Sequence, residues 1–182
     1  MKNALESLLE QDHESLDQLL TELDAAVTKP GNPQVFELLD LFWARLAVHV
    51  RAENVRLFPS LANVPADRLT GKAGLPTAEE AERVLARLRS DHDFFIGELA
   101  RMIKALRGNE VGVMQTEAVE ALRTSLRGVR ERLEDHNRLE ENHVYLWPAL
   151  LFDDEALATL SEQVRRELQN LPPRFAEVDW VR

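Results

Sequence analysis

The chain has 182 residues, of which 45% are hydrophobic and 30% are charged, a composition typical of soluble globular proteins. Its 32 acidic and 22 basic residues give a net charge of −10, which argues against nucleic acid or an anionic membrane as a partner. Because the chain has no cysteine, protein-supplied disulfides, thiolate metal sites and cysteine nucleophiles are excluded.

The N-terminus and the hydrophobic runs predict the compartment. The first six residues are amphipathic and acidic, unlike a signal peptide. No apolar run approaches the roughly 20 residues that a membrane span needs. We therefore expect a cytoplasmic protein.

The first half of the chain predicts two helices. A leucine-rich stripe with steps of three, four and seven predicts a helix over residues 3–28, with His13 on the stripe. The segment 29–33 breaks this pattern, and Pro33 suits the first position of a second helix. We expect Pro59 to end that helix. Its inward side carries Phe36, Leu39, Phe42, Leu46, His49, Glu53 and Leu57.

A long connector separates the two halves. Residues 59–76 contain three prolines and two glycines, a composition that breaks helices. Thr77 and Glu80 have the spacing of a capping box, which predicts the start of a third helix. The apolar stripe of this helix again contains a histidine, His92.

A fourth helix is predicted over about residues 115–147, with a heptad-like seam. The seam carries Leu122, Leu126, Val129, Leu133, His136, Glu140, His143 and Trp147. Asp153 is placed to cap a short fifth helix over residues 153–168. In the tail, Phe175 and Trp180 are candidates to dock on the bundle or on a second copy of the chain in a homo-oligomer.

Four long amphipathic helices, without strand-like alternation, predict an all-α fold. The arrangement that they favour is an up-down-up-down four-helix bundle with a short extra C-terminal helix. We expect one domain over residues 1–182, with the bundle core at about residues 3–150 and the C-terminal helix and tail at 151–182.

The two halves of the chain repeat one pattern. Each half has an Asp-His pair, then a His-x-x-x-Glu pair, then an aromatic residue followed by proline. Two hairpins packed together would therefore bring four imidazoles and two carboxylates to the centre of the bundle. The six residues are His13, His49, Glu53, His92, His136 and Glu140.

This set of side chains suits a pair of iron, manganese or zinc ions. A carboxylate can bridge two metal ions, so each half needs only one carboxylate. Neutral imidazoles keep the net negative charge of the ligands low, so an additional oxygen bridge does not over-neutralise the two ions. The alternative is that the histidines are ordinary core residues and the His–Glu pairs are surface contacts. We favour the metal site, because all five histidines fall on inward stripes and two precede glutamate at the same spacing.

The ordered motif H…H-x-x-x-E…L-F-P…H…H-x-x-x-E resembles the hemerythrin-like, HHE cation-binding domain over about residues 3–150. The resemblance implies a non-haem di-iron centre inside a four-helix bundle, with Glu53 and Glu140 as bridges. It also implies that the two histidines of each half hold one iron. The implied ligands are His13, His49, Glu53, His92, His136 and Glu140.

Two features depart from the family pattern. Ile96 stands where the invertebrate oxygen carriers have a further histidine, which implies an open or water-filled position on one iron. The distance from histidine to proline is ten residues in the first motif and twelve in the second. The last helix is therefore expected to hold a bulge or a different ligand.

Glu141 is the second choice for the bridge after Glu140, and His143 is a further candidate. His143 lies about 10 Å along the helix axis from His136, so both would not easily bind one ion. We interpret His143 as a core residue or an outer partner of the site. Three aspartates that directly precede motif histidines are interpreted as solvated or inter-helix contacts. They are Asp12, Asp91 and Asp135.

A di-iron centre with an open position suits a protein that binds or senses a small oxidant or diatomic ligand: dioxygen, nitric oxide or peroxide. The alternatives are a di-iron oxidase or peroxidase-type enzyme and a simple iron-binding or storage protein. We favour a protein that is not an enzyme and assign no catalytic residues, because the sequence shows no clear substrate pocket.

Overall fold

The structure is a computed structural model that describes residues 2–29, 31–69, 73–108 and 116–175, and all regular secondary structure in these ranges is helical. A π-helical segment, Glu53–Leu57, follows the second α-helix, and 3-10 turns lie at Val144–Leu146 and Pro173–Phe175. The α-helices are α1 (Ala4–Val27), α2 (Gln34–Ala52), α3 (Phe58–Ala62), α4 (Ala66–Leu69), α5 (Ala78–Gly108), α6 (Thr116–Asn142), α7 (Trp147–Leu151) and α8 (Asp154–Leu168).

Local capping determines where several of these helices begin. The side chain of Asn3 accepts backbone N–H bonds at the start of α1, and the carboxylate of Glu6 accepts the N–H of Asn3 at 3.3 Å. The predicted capping box of Thr77 and Glu80 is confirmed at the start of α5, with bonds of 2.9 and 3.2 Å. Asp153 caps α8, as predicted.

The four long helices pack around one another. Helix α1 contacts α2 and α6, and α5 contacts the same two helices. The predicted all-α bundle is thereby confirmed, and α8 covers part of it by packing on α1 and α2. Within the described ranges, no helix has the length and apolarity needed to cross a membrane.

A polar layer divides the hydrophobic core of the bundle. One cluster of buried hydrophobic side chains lies on each side of this layer. On α1, for example, Leu9 belongs to one cluster and Leu16 to the other, and His13 lies between them. The same interruption occurs on α2, α5 and α6. The two apolar clusters therefore hold the polar residues of the four helices at one level.

Pro59 does not end the second helix, contrary to the prediction. The N–H of Phe58 donates to the carbonyl of Glu53, five residues back, which is the bonding pattern of a π-helix. Pro59 then lies in the first turn of α3. Proline is tolerated at this position because the first N–H groups of a helix have no intrahelical acceptor.

The predicted fourth helix ends earlier than expected. Helix α6 stops at Asn142, because His143 has φ −136° and ψ −69°, outside the helical region. A 3-10 turn then leads into α7. The prediction of a bulge in the last helix is therefore wrong. The second copy of the motif has a helix break at the place where the first copy has a π-helical segment. This break accounts for the two-residue difference between the copies.

The start of the tail folds back on the bundle. Phe175 is half-buried and packs against the hydrophobic cluster that contains Leu16, which confirms docking on the bundle for this residue. Next to it, the guanidinium of Arg174 donates to Asp40 at 3.0 Å. Trp180 lies outside the described residues.

Candidate metal centre

Four histidines, one from each long helix, meet at the polar layer. The Nε2 atoms of His13 and His49 lie 3.2 Å apart, and those of His92 and His136 are also separated by 3.2 Å. Each imidazole is at most 3% exposed. The four imidazoles predicted to meet at the centre of the bundle do so, and they form two pairs.

Two buried carboxylates connect the imidazole pairs. Oε2 of Glu53 lies 3.4 Å from Nε2 of His49 and 3.2 Å from Nε2 of His92. Glu140 uses both oxygens, with Oε2 at 3.5 Å from His13 and Oε1 at 3.2 Å from His136. Each carboxylate thus faces both pairs, which is the arrangement that a bridging ligand requires.

Each of the two carboxylates keeps one buried oxygen without a hydrogen bond. Both side chains are fully buried, and Oε2 of Glu53 and Oε1 of Glu140 receive no hydrogen bond. A buried carboxylate without compensation costs several kcal/mol. Imidazole nitrogens and carboxylate oxygens are good ligands for iron, manganese and zinc. The donor set and its unsatisfied oxygens therefore match the requirements of bound cations.

Two histidines are oriented by aspartates of neighbouring helices. Nδ1 of His49 lies 3.0 Å from Asp12, and Nδ1 of His136 lies 3.3 Å from Asp91. An arginine binds each aspartate at 2.7 Å. Of the two interpretations of Asp12 and Asp91, the inter-helix contact is confirmed, and each aspartate holds an imidazole of the neighbouring helix. The arginines are Arg45 and Arg132.

The other two histidines have different outer partners. Nδ1 of His13 lies 2.7 Å from Oε1 of Glu141, and Nδ1 of His92 lies 3.2 Å from Oδ1 of Asn54. When the ring is neutral, an oxygen acceptor at Nδ1 selects the tautomer whose Nε2 lone pair is directed into the cluster. Glu141 is therefore not a bridge, because its carboxylate lies on the outer side of His13.

Two residues singled out in the sequence, Asp135 and His143, lie away from the cluster. Asp135 is exposed and pairs with Arg138 at 2.8 Å, which agrees with its interpretation as a solvated residue. His143 is also exposed and lines a surface cleft of about 430 Å³, so its interpretation as a core residue or outer partner is wrong. The helix break at His143 removes it from the inward seam. Ile96 is half-buried.

Sequence reasoning missed Tyr145, which lies in the middle of the cluster. Its side chain is fully buried, and its hydroxyl lies 2.7 Å from Glu53, 3.1 Å from Glu140 and 3.0 Å from Nε2 of His13. One feature of the sequence could have revealed it: the distance from histidine to proline is two residues longer in the second motif than in the first. These extra residues accompany the helix break that turns Tyr145 inward. In an unbroken helix, its side chain would have another direction.

The charges of the cluster are strongly coupled. Burial opposes protonation of His49 and His136, but the carboxylates of Glu53 and Glu140 outweigh it. They raise the pKa of His49 well above its ordinary value and that of His136 to about 9. Burial acts to raise the pKa of Glu53, yet the imidazoles hold it well below its usual value. Burial and the two carboxylates raise the pKa of Tyr145.

The fold and the cluster define a class: a helical bundle with a buried histidine and glutamate site suited to metal ions. The family model of the hemerythrin HHE cation-binding domain matches residues 4–147, and the chain belongs to this family. Comparisons with curated proteins and with solved structures found no match. The matched range contains the whole cluster, including Tyr145.

The pKa shifts predict opposite effects of pH on the metal-free and metal-bound protein. A raised histidine pKa stabilises the metal-free fold below about pH 6.5, and this contribution is lost as the pH rises through about 9. Metal ions need neutral imidazole and displace these protons. Between pH 6.5 and 9 we expect the melting temperature of the metal-free protein to fall and its increase on adding Zn²⁺ to grow.

Thermal unfolding across this pH range, with and without Zn²⁺, measures both trends. The exposed His143→Gln variant should follow the wild-type profile, since it leaves the cluster intact. A metal-free melting temperature that rises with pH would contradict the protonation state described above.

Asp12→Asn should weaken metal binding by about 10- to 100-fold, the usual effect of losing an outer partner of a ligand histidine. The amide keeps the size of the side chain but removes the charge that supports His49. Competition with a chelator measures the affinity. Asp135→Asn is the matched control, because Asp135 also directly precedes a motif histidine but is exposed. Equal affinities for the two variants would show that Asp12 does not support the site.

Proposed function

We propose that this chain is a non-haem di-iron protein that binds or senses a small oxidant or diatomic ligand, such as dioxygen, nitric oxide or peroxide. In this proposal, each imidazole pair holds one iron and the two carboxylates are shared. The ligands are His13, His49, Glu53, His92, His136 and Glu140.

The position of the carboxylates is the observation that carries the proposal. Glu53 and Glu140 each face both imidazole pairs, and each retains a buried oxygen without a hydrogen bond. One cation beside each pair would compensate both oxygens at once. With neutral imidazoles the six ligands carry only two negative charges, so two divalent cations would not be over-neutralised.

The donor atoms suit iron, but they do not distinguish it from manganese or zinc. Imidazole and carboxylate without thiolate also suit manganese and zinc. A redox-active ion is preferred over zinc, because dioxygen, nitric oxide and peroxide share binding to the metal with electron transfer. Iron is preferred over manganese because the resemblance to the hemerythrin family implies it. Direct metal analysis distinguishes the three ions.

Burial of the cluster supports a small ligand. All six proposed ligands are at most 3% exposed, and hydrophobic clusters close both sides of the polar layer. A diatomic molecule or peroxide needs far less space than an organic substrate. Around the second imidazole pair, the chain provides four close donor groups, His92, His136, Glu53 and Glu140. Four donors leave further positions of an iron ion available, as in other histidine- and carboxylate-bound iron sites.

The surrounding residues would orient the ligands and keep water out. Asp12 and Asp91 hold the Nδ1 protons of two histidines, so that the opposite nitrogens remain free to bind. Their arginine partners hold the aspartates in turn. The chain thus orients these ligand histidines before any ion binds.

Metal analysis tests the site itself. Protein purified without added metal should contain about two irons per chain, and Glu53→Gln should lose most of them, because an amide bridges two cations poorly. Exposed Glu134→Gln is the matched control and should keep the wild-type iron content. Zinc alone, or full iron in Glu53→Gln, would contradict the proposed centre or its bridge.

Spectroscopy during cycles of air and reductant tests the proposed ligand class. The iron-loaded protein should change its visible spectrum reversibly, since a closed site releases a small ligand unchanged. Irreversible bleaching with turnover of peroxide would instead indicate the oxidase or peroxidase alternative. An unchanged spectrum over repeated cycles would indicate simple iron binding or storage.

A further inference from the structure

Tyr145 is the only tyrosine among the 182 residues, and its hydroxyl lies inside the proposed ligand set. The break after α6 and the 3-10 turn Val144–Leu146 place it there. Three polar atoms surround its oxygen: Oε1 of Glu53 at 2.7 Å, Nε2 of His13 at 3.0 Å and Oε2 of Glu140 at 3.1 Å. A fully buried hydroxyl with three such neighbours requires an explanation.

Hydrogen bonding alone does not satisfy this group of atoms. A phenol carries one proton and donates to one acceptor at a time. Both carboxylate oxygens are acceptors, so one of them faces a lone pair of the phenol oxygen. In the neutral imidazole that a metal requires, Nε2 of His13 is an acceptor as well, because Nδ1 donates to Glu141. A cation removes the conflict, since all of these atoms are metal donors.

The distances agree with ligands of a single ion. The phenol oxygen, Nε2 of His13 and Oε2 of Glu140 form a triangle with sides of 3.0, 3.1 and 3.5 Å. Nε2 of His49 lies 3.2 Å from Nε2 of His13. Ligand atoms bound at about 2.0–2.2 Å, with angles from 90° to tetrahedral, are separated by about 2.8–3.6 Å.

The other half of the chain has an aromatic ring without the oxygen. Phe58 follows His49 by nine residues, and Tyr145 follows His136 by nine. The Phe58 ring stacks on His92 with centroids 5.5 Å apart, and the Tyr145 ring lies 5.5 Å from that of His13. The two halves thus place similar rings beside the two imidazole pairs, but only one ring carries a hydroxyl.

We infer that Tyr145 supplies a phenolate oxygen to the ion held by His13 and His49. The inference rests on the proposed function, because it requires a metal ion at this imidazole pair. When the ion binds, the O–H bond of the phenol breaks, the oxygen keeps the electron pair and binds the ion, and the proton leaves to solvent. The opposite pair, His92 and His136, has Phe58 instead and gains no such ligand.

The test uses the full chain loaded with Fe²⁺ without oxygen and then oxidised by air. Phenolate bound to ferric iron gives a visible charge-transfer band, and resonance Raman excitation in that band reveals tyrosine ring vibrations. Because the chain has one tyrosine, these signals have a single source. We expect both in the wild type, and we expect ring-deuterated tyrosine to shift the vibrations without any substitution.

Tyr145→Phe should lose the band while it retains two irons. Leu146→Ala is the matched control, because it changes a partly exposed neighbour in the same turn and should keep the band. If Tyr145→Phe fails to fold or to bind iron, the shift of the tyrosine vibrations in the ring-deuterated wild type tests the inference without the variant.

Iron content is measured first, so that the two hypotheses fail differently. Wild-type protein with two irons but no tyrosine vibrations would overturn the role of Tyr145 and leave the proposed function standing. Wild-type protein without iron would overturn the proposed function, and the role of Tyr145 with it.

Discussion

Two glutamates buried at the centre of a helical bundle are the constraint on which the rest of this structure depends. Glu53 and Glu140 are fully buried, and carboxylates in such a place need compensating charge. Four imidazoles provide part of it, and outer hydrogen bonds hold the imidazoles. The hydrophobic core is divided to leave room for this layer, so the two apolar clusters and the polar centre form one packing arrangement.

The repeat in the chain makes the two imidazole pairs similar but not equivalent. His13 and His49 face Glu141 and Asp12, both carboxylates, whereas one ring of the other pair faces the neutral amide of Asn54. Outer hydrogen-bond partners change the basicity of ligand histidines, so we expect the two imidazole pairs to differ in their affinity for a cation. The approximate repeat of the chain therefore forms an asymmetric site.

The helices and the six clustered residues were predictable because they depend on local spacing. Leucine stripes at helical intervals define which side of each helix is buried, and a histidine with a glutamate four residues later shares that side. The outer partners were less accessible, because Asp12 reaches His49 only through the relative rotation of two helices. Pro59 and His143 were misjudged because helix irregularities do not show in the residue spacing. A π-helical segment places Pro59 in the first turn of a new helix, and a helix break turns His143 outward.

Sequence alone thus determined the all-α class, the family resemblance and the six residues that approach one another, since each follows from periodicity and motif order. Tertiary structure decided the partners of those residues. It directed Glu141 to the outside of His13, exposed His143 and brought the hydroxyl of Tyr145 against both glutamates. The physical reason is that one or two extra residues in a helix rotate every later side chain about the helix axis. Packing between helices then decides which of these side chains are buried.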